Sequence, residues 1–317
     1  MWPLIKILPT KTHIPFVSLS RLFATLSILA VIATCVGFFY PGLNLGIDFK
    51  GGTVLEFNTG ARVTDLSAVR GAVNGLRLGE VQVQRFGADN DAVVRFQTPT
   101  GADASTVADN VKVAITKALG QVTFSRTDVV GPEVSGELEV KGIEALLAAV
   151  GLMLIYIWFR FELQFGLGAV VALFHDLTLS FGLILLLRLE FSLNLIAALL
   201  TIIGYSMNDT VVVFDRLREN RRKYKRMSLR DLIDLSVNET LSRTVITGVT
   251  ALLALSGLAV FGGESLRPLS IVLLFGIVIG TYSSIYVASP IILLWGVRRE
   301  DEPARPIGPQ PANIVRR

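Results

Sequence analysis

LNLIAALLTIIGYSMNDTVVVF, residues 193–214, is the part of the sequence most indicative of a membrane protein. It is long and apolar enough to cross a membrane as a helix, yet it contains an aspartate, Asp209. A carboxyl group inside a membrane is costly to insert, so it usually faces a cavity, a partner or a transported ion. Transport is therefore the first functional hypothesis.

The composition of the whole chain agrees with a membrane protein. Of its 317 residues, 51% are hydrophobic and only 18% are charged, whereas a soluble protein of this length would carry more charge. Apolar stretches that could cross a bilayer as helices occur at about residues 22–40, 142–159, 166–187, 193–214, 241–261 and 269–296. The predicted fold class is an α-helical integral membrane protein with six transmembrane helices.

The basic residues indicate the orientation, because Lys and Arg accumulate in cytoplasmic loops. They are dense before the first span, after the fourth and after the sixth: Lys6, Lys11, Arg21, Arg216, Arg218, Arg221, Arg222, Lys223, Lys225, Arg226, Arg230, Arg298 and Arg299. The two short loops on the opposite side offer only Arg188 and Arg267. We predict that both termini are cytoplasmic. The net charge of +4 then reflects topology rather than nucleic-acid binding.

The predicted spans divide the chain into domains. These are a cytoplasmic arm (1–21), the first transmembrane helix (22–40), an external domain (41–140), the other five helices (141–296) and a cytoplasmic tail (297–317). The helices in 141–296 are interrupted by a basic loop at 215–240. This loop either fixes the topology or serves as a docking surface, and the sequence favours neither.

The external segment predicts a small α+β domain. Thr64 is expected to cap the first of its two helices. Alternating and apolar patterns predict strands at 53–57, 80–86, 92–96 and 121–129, with a second helix at about 103–119. The order β-α-β-β-α-β is that of a ferredoxin-like split βαβ unit.

Polar residues surround the intramembrane aspartate. Asn208 precedes Asp209 and Thr210 follows it, and Arg243 lies at the start of the fifth span. The depths of Asp209 and Arg243 in their spans allow the two side chains to meet. A carboxyl group balanced between desolvation and a counter-charge can take up and release a proton as the geometry changes. The alternative is a static ion pair that fixes helix packing.

A second ionisable pair, His175 and Asp176, lies midway along the third span. Adjacent ionisable groups at this depth are expensive to keep, which favours a role in proton movement or in orienting a functional partner. A histidine that merely satisfies a neighbouring hydroxyl is the alternative.

The sixth span carries a stripe of small residues at every fourth position, Gly276, Gly280, Ser284 and Ala288. Small side chains let transmembrane helices approach closely. The stripe therefore predicts helix packing.

The sequence contains no motif of an enzyme. Gly-x-Ser-x-Gly and His-Glu-x-x-His are absent, and Cys35 is the single cysteine. The glycine-rich run Gly46–Gly52 has glycine where a phosphate-binding loop needs its lysine. We expect neither catalysis nor a metal site.

Five motifs together resemble the bacterial SecD/SecF family, and within it the smaller SecF subunits. They are GIDFKGG (46–52), VGPEVSGEL (130–138), GYSMNDTVVVFDRLREN (204–220), LSRTVITGVTALLAL (241–255) and GTYSSIYVASP (280–290). The resemblance runs from the first span through the sixth.

The resemblance implies one half of a transporter of the resistance-nodulation-division superfamily. SecD would supply the other half, beside the SecYEG channel and its accessory subunits, in the bacterial inner membrane. Proton flow, without any cofactor, would promote the translocation of preproteins, and the surrounding lipid would be a further contact. The essential aspartate of the family maps onto Asp209 and its arginine onto Arg243.

Two other functions remain open at this stage. One is a non-transporting scaffold that stabilises a membrane complex, which predicts that Asp209 tolerates replacement by Asn. The other is a half-size lipid or drug exporter, which should have apolar pockets in its external domain. Few aromatic residues occur there.

Overall fold

The computed structural model describes residues 12–78, 81–99 and 102–295. Predictions for residues 1–11 and for the tail 297–317 lie outside this part of the chain. The elements in chain order are α1 (Phe16–Phe39), β1 (Asn44–Leu45), α2 (Ile47–Lys50), β2 (Gly52–Asn58), α3 (Leu66–Asn74), β3 (Val81–Phe86), β4 (Ala88–Phe96), α4 (Ala104–Leu119), β5 (Thr123–Val130), α5 (Pro132–Arg160), α6 (Leu163–Leu186), β6 (Glu190–Phe191), α7 (Leu193–Lys223), α8 (Leu229–Phe261), α9 (Gly263–Ser283), a π-helix (Ser284–Ala288) and α10 (Ser289–Trp295).

Within the described residues, six helical segments are long and apolar enough to cross a membrane, which confirms the predicted number. They are α1, α5, α6, α7, α8 and the continuous helix formed by α9, the π-helix and α10. Several of them extend beyond the predicted bounds. Helix α1 begins at Phe16 rather than 22 and α5 at Pro132 rather than 142, while α7 ends at Lys223 rather than 214 and α8 begins at Leu229 rather than 241. The reason is that hydropathy marks only the part of a helix that lies in hydrocarbon. The segment predicted as a loop at 215–240 is therefore mostly helix, with a short turn at 224–228.

The predicted external segment folds around one antiparallel sheet. Its strand order is β3-β4-β2-β5, and the elements β2 to β5 with α3 and α4 follow the order β-α-β-β-α-β. The core includes Leu55 and Phe57 of β2, Val69 of α3, and Val111 and Ile115 of α4. Burial of these side chains fixes both helices against the sheet.

The predicted cap of α3 is wrong by one residue. Asp65 caps the helix, and its carboxylate accepts hydrogen bonds from the backbone N–H groups of Ser67 and Ala68. Thr64 is buried and donates instead to the carbonyl of Asn90 at 2.9 Å. A carboxylate is the stronger acceptor and also suits the positive end of the helix dipole.

A small junction joins the sheet to the membrane helices. Strand β1 pairs in parallel with β6, which lies between α6 and α7. The Asp48 carboxylate of α2 accepts a hydrogen bond from the backbone N–H of Leu193, the first residue of α7, at 2.9 Å. Arg95 of β4 forms an ion pair with Glu190 of β6. The sheet is thereby connected to the helix that carries Asp209.

Glycine is required at one position of this junction. Gly52 has φ of +123°, and a Cβ atom there would lie 2.6 Å from the carbonyl oxygen of Phe96. Only glycine adopts this backbone conformation freely. The close approach of β2 to the end of β4 explains the second glycine of GIDFKGG.

The helices α6 and α7 form the centre of the membrane bundle. Phe165 and Leu173 of α6 and Leu195, Leu199 and Ile202 of α7 have at most 1% of their surface exposed. In α1, α5 and α8, by contrast, only 11% of the most apolar stretch is buried. Polar groups on α6 and α7 are consequently removed from the surrounding lipid.

Candidate functional site

Asp176, in the middle of α6, connects three helices. Only 1% of its surface is exposed. One carboxylate oxygen accepts hydrogen bonds from the hydroxyls of Ser206 on α7 and Ser283 on α9, the latter at 2.6 Å. The other oxygen lies 2.9 Å from Nδ1 of His175. Two hydroxyl donors and a histidine ring nitrogen around one carboxyl group compensate for its removal from water.

His175 extends these contacts to the first helix. Its Nε2 lies 3.0 Å from Oγ of Ser27 on α1. The Ser27 hydroxyl is in turn 2.8 Å from Oη of Tyr282, whose hydroxyl donates to the carbonyl of Phe23. The rings of His175 and Tyr282 stack with centroids 5.9 Å apart. An unbroken hydrogen-bonded chain thus runs from Asp176 to α1.

Asp209 lies on α7 and is also buried, with 3% of its surface exposed. The hydroxyl of Thr281 on α9 donates to its carboxylate at 3.2 Å. Ser206, which binds Asp176, precedes Asp209 by about one helical turn on α7. Thr281 and Ser283, the α9 partners of the two carboxyls, are two residues apart. Both acidic groups therefore border the same contact between α7 and α9.

We refer to the polar residues along this contact as the polar seam; all are buried except Thr281, which is half-buried. Its members are Asp176, Ser206, Asp209, Thr210, Thr281, Ser283 and Ser284. Thr210 and Ser284 join through their hydroxyls at 2.8 Å. The seam offers alternating acids and hydroxyls, which are the groups that can pass a proton between them.

The sixth span changes its helical hydrogen bonding beside the seam. The π-helix begins at Ser284, and the Ser289 hydroxyl donates to the carbonyl of Ser284 at 2.8 Å. Pro290, which follows, has no backbone N–H to continue the regular pattern. A π-helical turn within an α-helix occurs most often at functional sites.

Asp209 and Arg243 do not form an ion pair in this structure, although their depths in the spans allow them to meet. Among the described residues, Asp209 has a hydrogen bond to Thr281 and no ion pair, while Arg243 lies on an exposed face of α8. Arg243 still acts electrostatically on Asp209 through space. Depth along two helices was inferred from the spans, but the direction in which each side chain points was not.

The two polar residues adjacent to Asp209 in the sequence differ in burial. Thr210 is buried in the seam, whereas Asn208 is exposed on α7. Two further hydroxyls nearby, Tyr205 Oη and Thr244 Oγ1, are buried and lack a hydrogen-bond partner within the described residues. Buried polar groups of this kind are normally satisfied by water or by another group.

The small-residue stripe packs inside the chain. A Cβ atom on Gly276 would lie 2.3 Å from the side chain of Ile202, and one on Gly280 would lie 2.9 Å from Cβ of Ser206. Further along, the carbonyl of Ala288 is so close to α6 that a Cβ on Gly168 would lie 2.7 Å from it. The absence of side chains at 276 and 280 allows α9 to approach the polar seam.

Sequence reasoning found the acids of this site but missed most of their partners. Ser27, Ser206, Thr281, Tyr282 and Ser283 were not singled out, although each lies in a predicted span. Ser206 could have been found from its spacing, because residues three and four apart share a helix face with Asp209 and Thr210. Nothing in the sequence indicates which face of α9 or α1 meets them.

These features are those of a multi-pass membrane protein that holds two carboxyl groups inside its helix bundle. Within the described residues, no group of three or more His, Cys, Asp and Glu side chains could hold a metal ion. The buried acids are paired with hydroxyls and a histidine instead.

Comparison with known proteins gives the family. Residues 110–298 match the family described as protein export membrane protein SecD/SecF, C-terminal, and residues 37–60 match the SecD/SecF GG motif. Protein translocase subunit SecF of Cereibacter sphaeroides is 44% identical over 303 residues, which cover 93% of each chain. The SecF subunit of Rickettsia akari is 39% identical and covers 94% of this chain and 97% of its own. The chain belongs to the SecF branch of the SecD/SecF family.

Solved structures of SecDF share the fold. The crystal structure of SecDF, a translocon-associated membrane protein from Thermus thermophilus, matches with a TM-score of 0.81 and 32% identity. The match covers 93% of this chain and 39% of that chain. A second structure, SecDF in a super-membrane-facing form, matches with a TM-score of 0.67 and 30% identity. The chain thus corresponds to less than half of the length of a SecDF polypeptide.

Proposed function

We propose that the protein is the SecF subunit of a Sec export complex and that it uses proton flow, together with a SecD-type partner, to promote preprotein translocation. Membership of the SecF branch supports the export role. The single observation that carries the proton role is the pair of buried carboxyl groups, Asp176 and Asp209, on one hydroxyl-lined seam. A carboxyl group kept at membrane depth is a functional group by default.

Asp209 is the main proton carrier in this proposal. It has a single hydroxyl donor, Thr281, whereas Asp176 has two hydroxyl donors and a histidine. The less satisfied carboxylate gains more from binding a proton, because fewer hydrogen bonds stabilise its ionised form. Asp176 and His175 form the second station, which the hydroxyl of Ser206 connects to the same helix as Asp209.

Arg243 supplies the counter-charge from α8. Its exposed position lets the guanidinium approach Asp209 or a partner helix as the helices move. Asn208 is also exposed, on α7, and is available to contact a helix of the SecD-type partner. The stripe Gly276, Gly280, Ser284 and Ala288 gives α9 the close contact along which it shifts against α7 and α6.

The junction at β1 and β6 couples proton binding to the external domain. Asp48 holds the first residue of α7, and Arg95 of β4 holds Glu190 just before that helix. A displacement of α7 would therefore be transmitted directly to the sheet. Moving this domain is the step that would assist an emerging preprotein.

The placement in the cell follows from the charge pattern. We propose the inner membrane, with cytoplasmic termini and a ferredoxin-like periplasmic domain between the first two spans, bounded as predicted at 41–140. The arm 1–21, the helices 22–40 and 141–296 and the tail 297–317 complete this division. SecD, the SecYEG channel with its accessory subunits, preproteins and membrane lipid are the proposed partners, and no cofactor is needed.

An export assay tests the proposal. Asp209→Asn should leave folding and association with SecD intact, because an amide has nearly the same size and is cheaper to bury than a carboxylate. Secretion measured with and without a proton gradient should lose its gradient-dependent part in this variant. The control is Thr201→Val on the same helix, because Thr201 is exposed and its hydroxyl donates to the carbonyl of Ala197; this variant should retain the gradient-dependent part. Normal gradient-dependent export in Asp209→Asn would leave the scaffold function as the better account.

A further inference from the structure

A large apolar groove opens between α1, α6 and α10, away from the contact of α7 with α9. Its volume is about 810 Å³, which lies within the range of about 300–1,000 Å³ typical of ligand sites. Ile28 and Ile32 of α1, Phe174 of α6 and Leu294 of α10 line it, and each has at least half of its surface exposed. The groove therefore presents an unfilled apolar surface.

Two arginines lie at one end of this groove. Arg21 is near the start of α1, Arg230 is near the start of α8, and both border the cavity. In the described part of the chain neither one forms an ion pair, and both side chains are exposed. Of the acids that follow Arg230, Asp231 accepts from Ser228, and Asp234 accepts from the backbone N–H of Val17, which itself borders the groove.

The length of the groove fits one leaflet of a bilayer. From Arg21 to Ile32, α1 rises by about 16 Å at about 1.5 Å per residue. Half of the hydrocarbon core, which is about 30 Å thick, is about 15 Å. The arginines thus stand at headgroup depth when the apolar walls stand at the depth of an acyl chain.

We propose that this groove binds one anionic phospholipid, with its phosphate between Arg21 and Arg230 and one acyl chain between α1 and α6. Guanidinium groups bind phosphate through paired N–H donors, and basic pockets between transmembrane helices suit anionic headgroups. The chain's own residues 1–11 are a poor occupant, because they carry Lys6 and Lys11 and no acid. Their charge has the same sign as that of the arginines.

The bound lipid would form one wall of the functional site. Ser27 and His175, which continue the hydrogen-bonded chain from Asp176, also line the groove. An acyl chain at this position separates the histidine from the surrounding membrane. The proposal itself does not depend on proton coupling, because it concerns only what fills the groove.

Native mass spectrometry of the purified full chain tests the proposal. The protein, in a mild detergent, is offered phosphatidylglycerol and phosphatidylcholine with identical acyl chains at equal concentration. We expect one phosphatidylglycerol molecule to be retained in preference. The double variant Arg21→Gln with Arg230→Gln should lower that retention by about tenfold or more, since each cation contributes to headgroup binding. The control is the double variant Arg222→Gln with Arg226→Gln, which removes the same amount of charge outside the groove, at the end of α7 and in the turn that follows. This variant should retain the lipid.

A second pair of variants separates the groove from general attraction to charge. Ala24→Trp places a large ring in the groove and should reduce lipid retention, whereas Ala33→Trp, on the same helix but outside the groove, should not. Equal retention in wild type and Ala24→Trp would overturn the proposal, as would equal losses in both arginine pairs. Higher retention after deletion of residues 1–11 would identify that segment as the occupant and overturn it as well.

Discussion

The hydroxyl of Ser283 lies 2.6 Å from the carboxylate of Asp176, and this hydrogen bond joins the last transmembrane helix to the third. It forms at the last residue before the π-helix, where the helical hydrogen bonding changes. An ionised Asp176 can only accept a hydrogen bond from the Ser283 hydroxyl, whereas a protonated Asp176 can also donate one to it. The bond is therefore a direct link between the charge of α6 and the geometry of the sixth span.

Replacing Ser283 should weaken the bundle. Ser283→Ala removes a donor from a buried carboxyl group, which costs about 1–3 kcal/mol of unfolding free energy. The control is Ser270→Ala on the same helix, since that hydroxyl is also buried but bonds only to the carbonyl of Leu266. Equilibrium unfolding in a mixed detergent measures both. Equal effects of the two changes would mean that the contact with Asp176 adds nothing.

Enlarging Gly280 should disrupt the contact of α9 with α7. In Gly280→Leu even the Cβ atom would lie 2.9 Å from Cβ of Ser206, and overpacking of this kind costs about 1–3 kcal/mol or more. Gly257→Leu on α8 is the control, because a Cβ there meets nothing within 4 Å. Thermal unfolding and the yield of complex with SecD should fall in the first variant. A normal melting temperature for Gly280→Leu would show that the bundle does not depend on the close contact between α9 and α7.

The ion pair of Arg95 with Glu190 should couple the sheet to the membrane part. The two side chains are 22% and 26% exposed, so a double-mutant cycle should give a coupling of about 1 kcal/mol in unfolding free energy. Hydrogen exchange of β6 should accelerate in Arg95→Ala and Glu190→Ala, and the exchanged pair Arg95→Glu with Glu190→Arg should restore part of its protection. The control is the ion pair of Arg85 and Asp89, whose side chains are 50% and 75% exposed. Replacing either of these residues with Ala should leave the hydrogen exchange of β6 unchanged. Unchanged exchange of β6 in both Arg95→Ala and Glu190→Ala would show that this ion pair does not couple the sheet to the membrane helices.

Helix α4 should lose stability in acid because of its cap. Hydrogen bonds from the side chains of Ser105 and Thr106, and from the backbone of Thr106, lower the pKa of Asp103 from 3.8 to about 2. A depressed pKa contributes stability that is complete above pH about 4 and is lost as the pH falls through about 2. Hydrogen-exchange protection of α4 should follow this course.

The cap variant Asp103→Asn provides the control for that measurement. Asn can still accept at an N-cap but does not titrate. Its α4 should therefore show a smaller change of protection between pH about 4 and about 2. The same pH dependence in both proteins would assign the acid sensitivity to another group.

The sequence predicts the membrane helices and the buried acids well, for a local reason. A span needs about 20 apolar residues, and an Asp inside one is conspicuous, so both can be read from a short window. The ends of α7 and α8 were missed because polar helical turns outside hydrocarbon have no hydropathy signal. The cap of α3 was misplaced for a similar reason, since Thr64 and Asp65 are both good caps and only their contacts decide.

The partners of the acids depend on how the helices are rotated against each other. Depth in the membrane suggested that Asp209 meets Arg243, but the contact is made by Thr281 of α9. The small residues at 276 and 280 let α9 approach α7, and this approach selects Ser206, Thr281 and Ser283 as the polar neighbours. Which residues become these partners depends on how α6, α7 and α9 pack together. The residue pattern of a single helix therefore cannot predict them.

Proton flux through the reconstituted complex measures the role of Asp209 as a proton carrier. The protein and its SecD-type partner are placed in liposomes with an imposed pH gradient, and a pH-sensitive dye follows its decay. We expect Asp209→Asn to reduce the flux to that of liposomes without protein, because its amide cannot take up and release a proton at this pH. Thr201→Val, on the same helix and exposed, should keep most of the wild-type flux. A flux in Asp209→Asn equal to that of the wild type would contradict the assignment of Asp209 as the proton carrier.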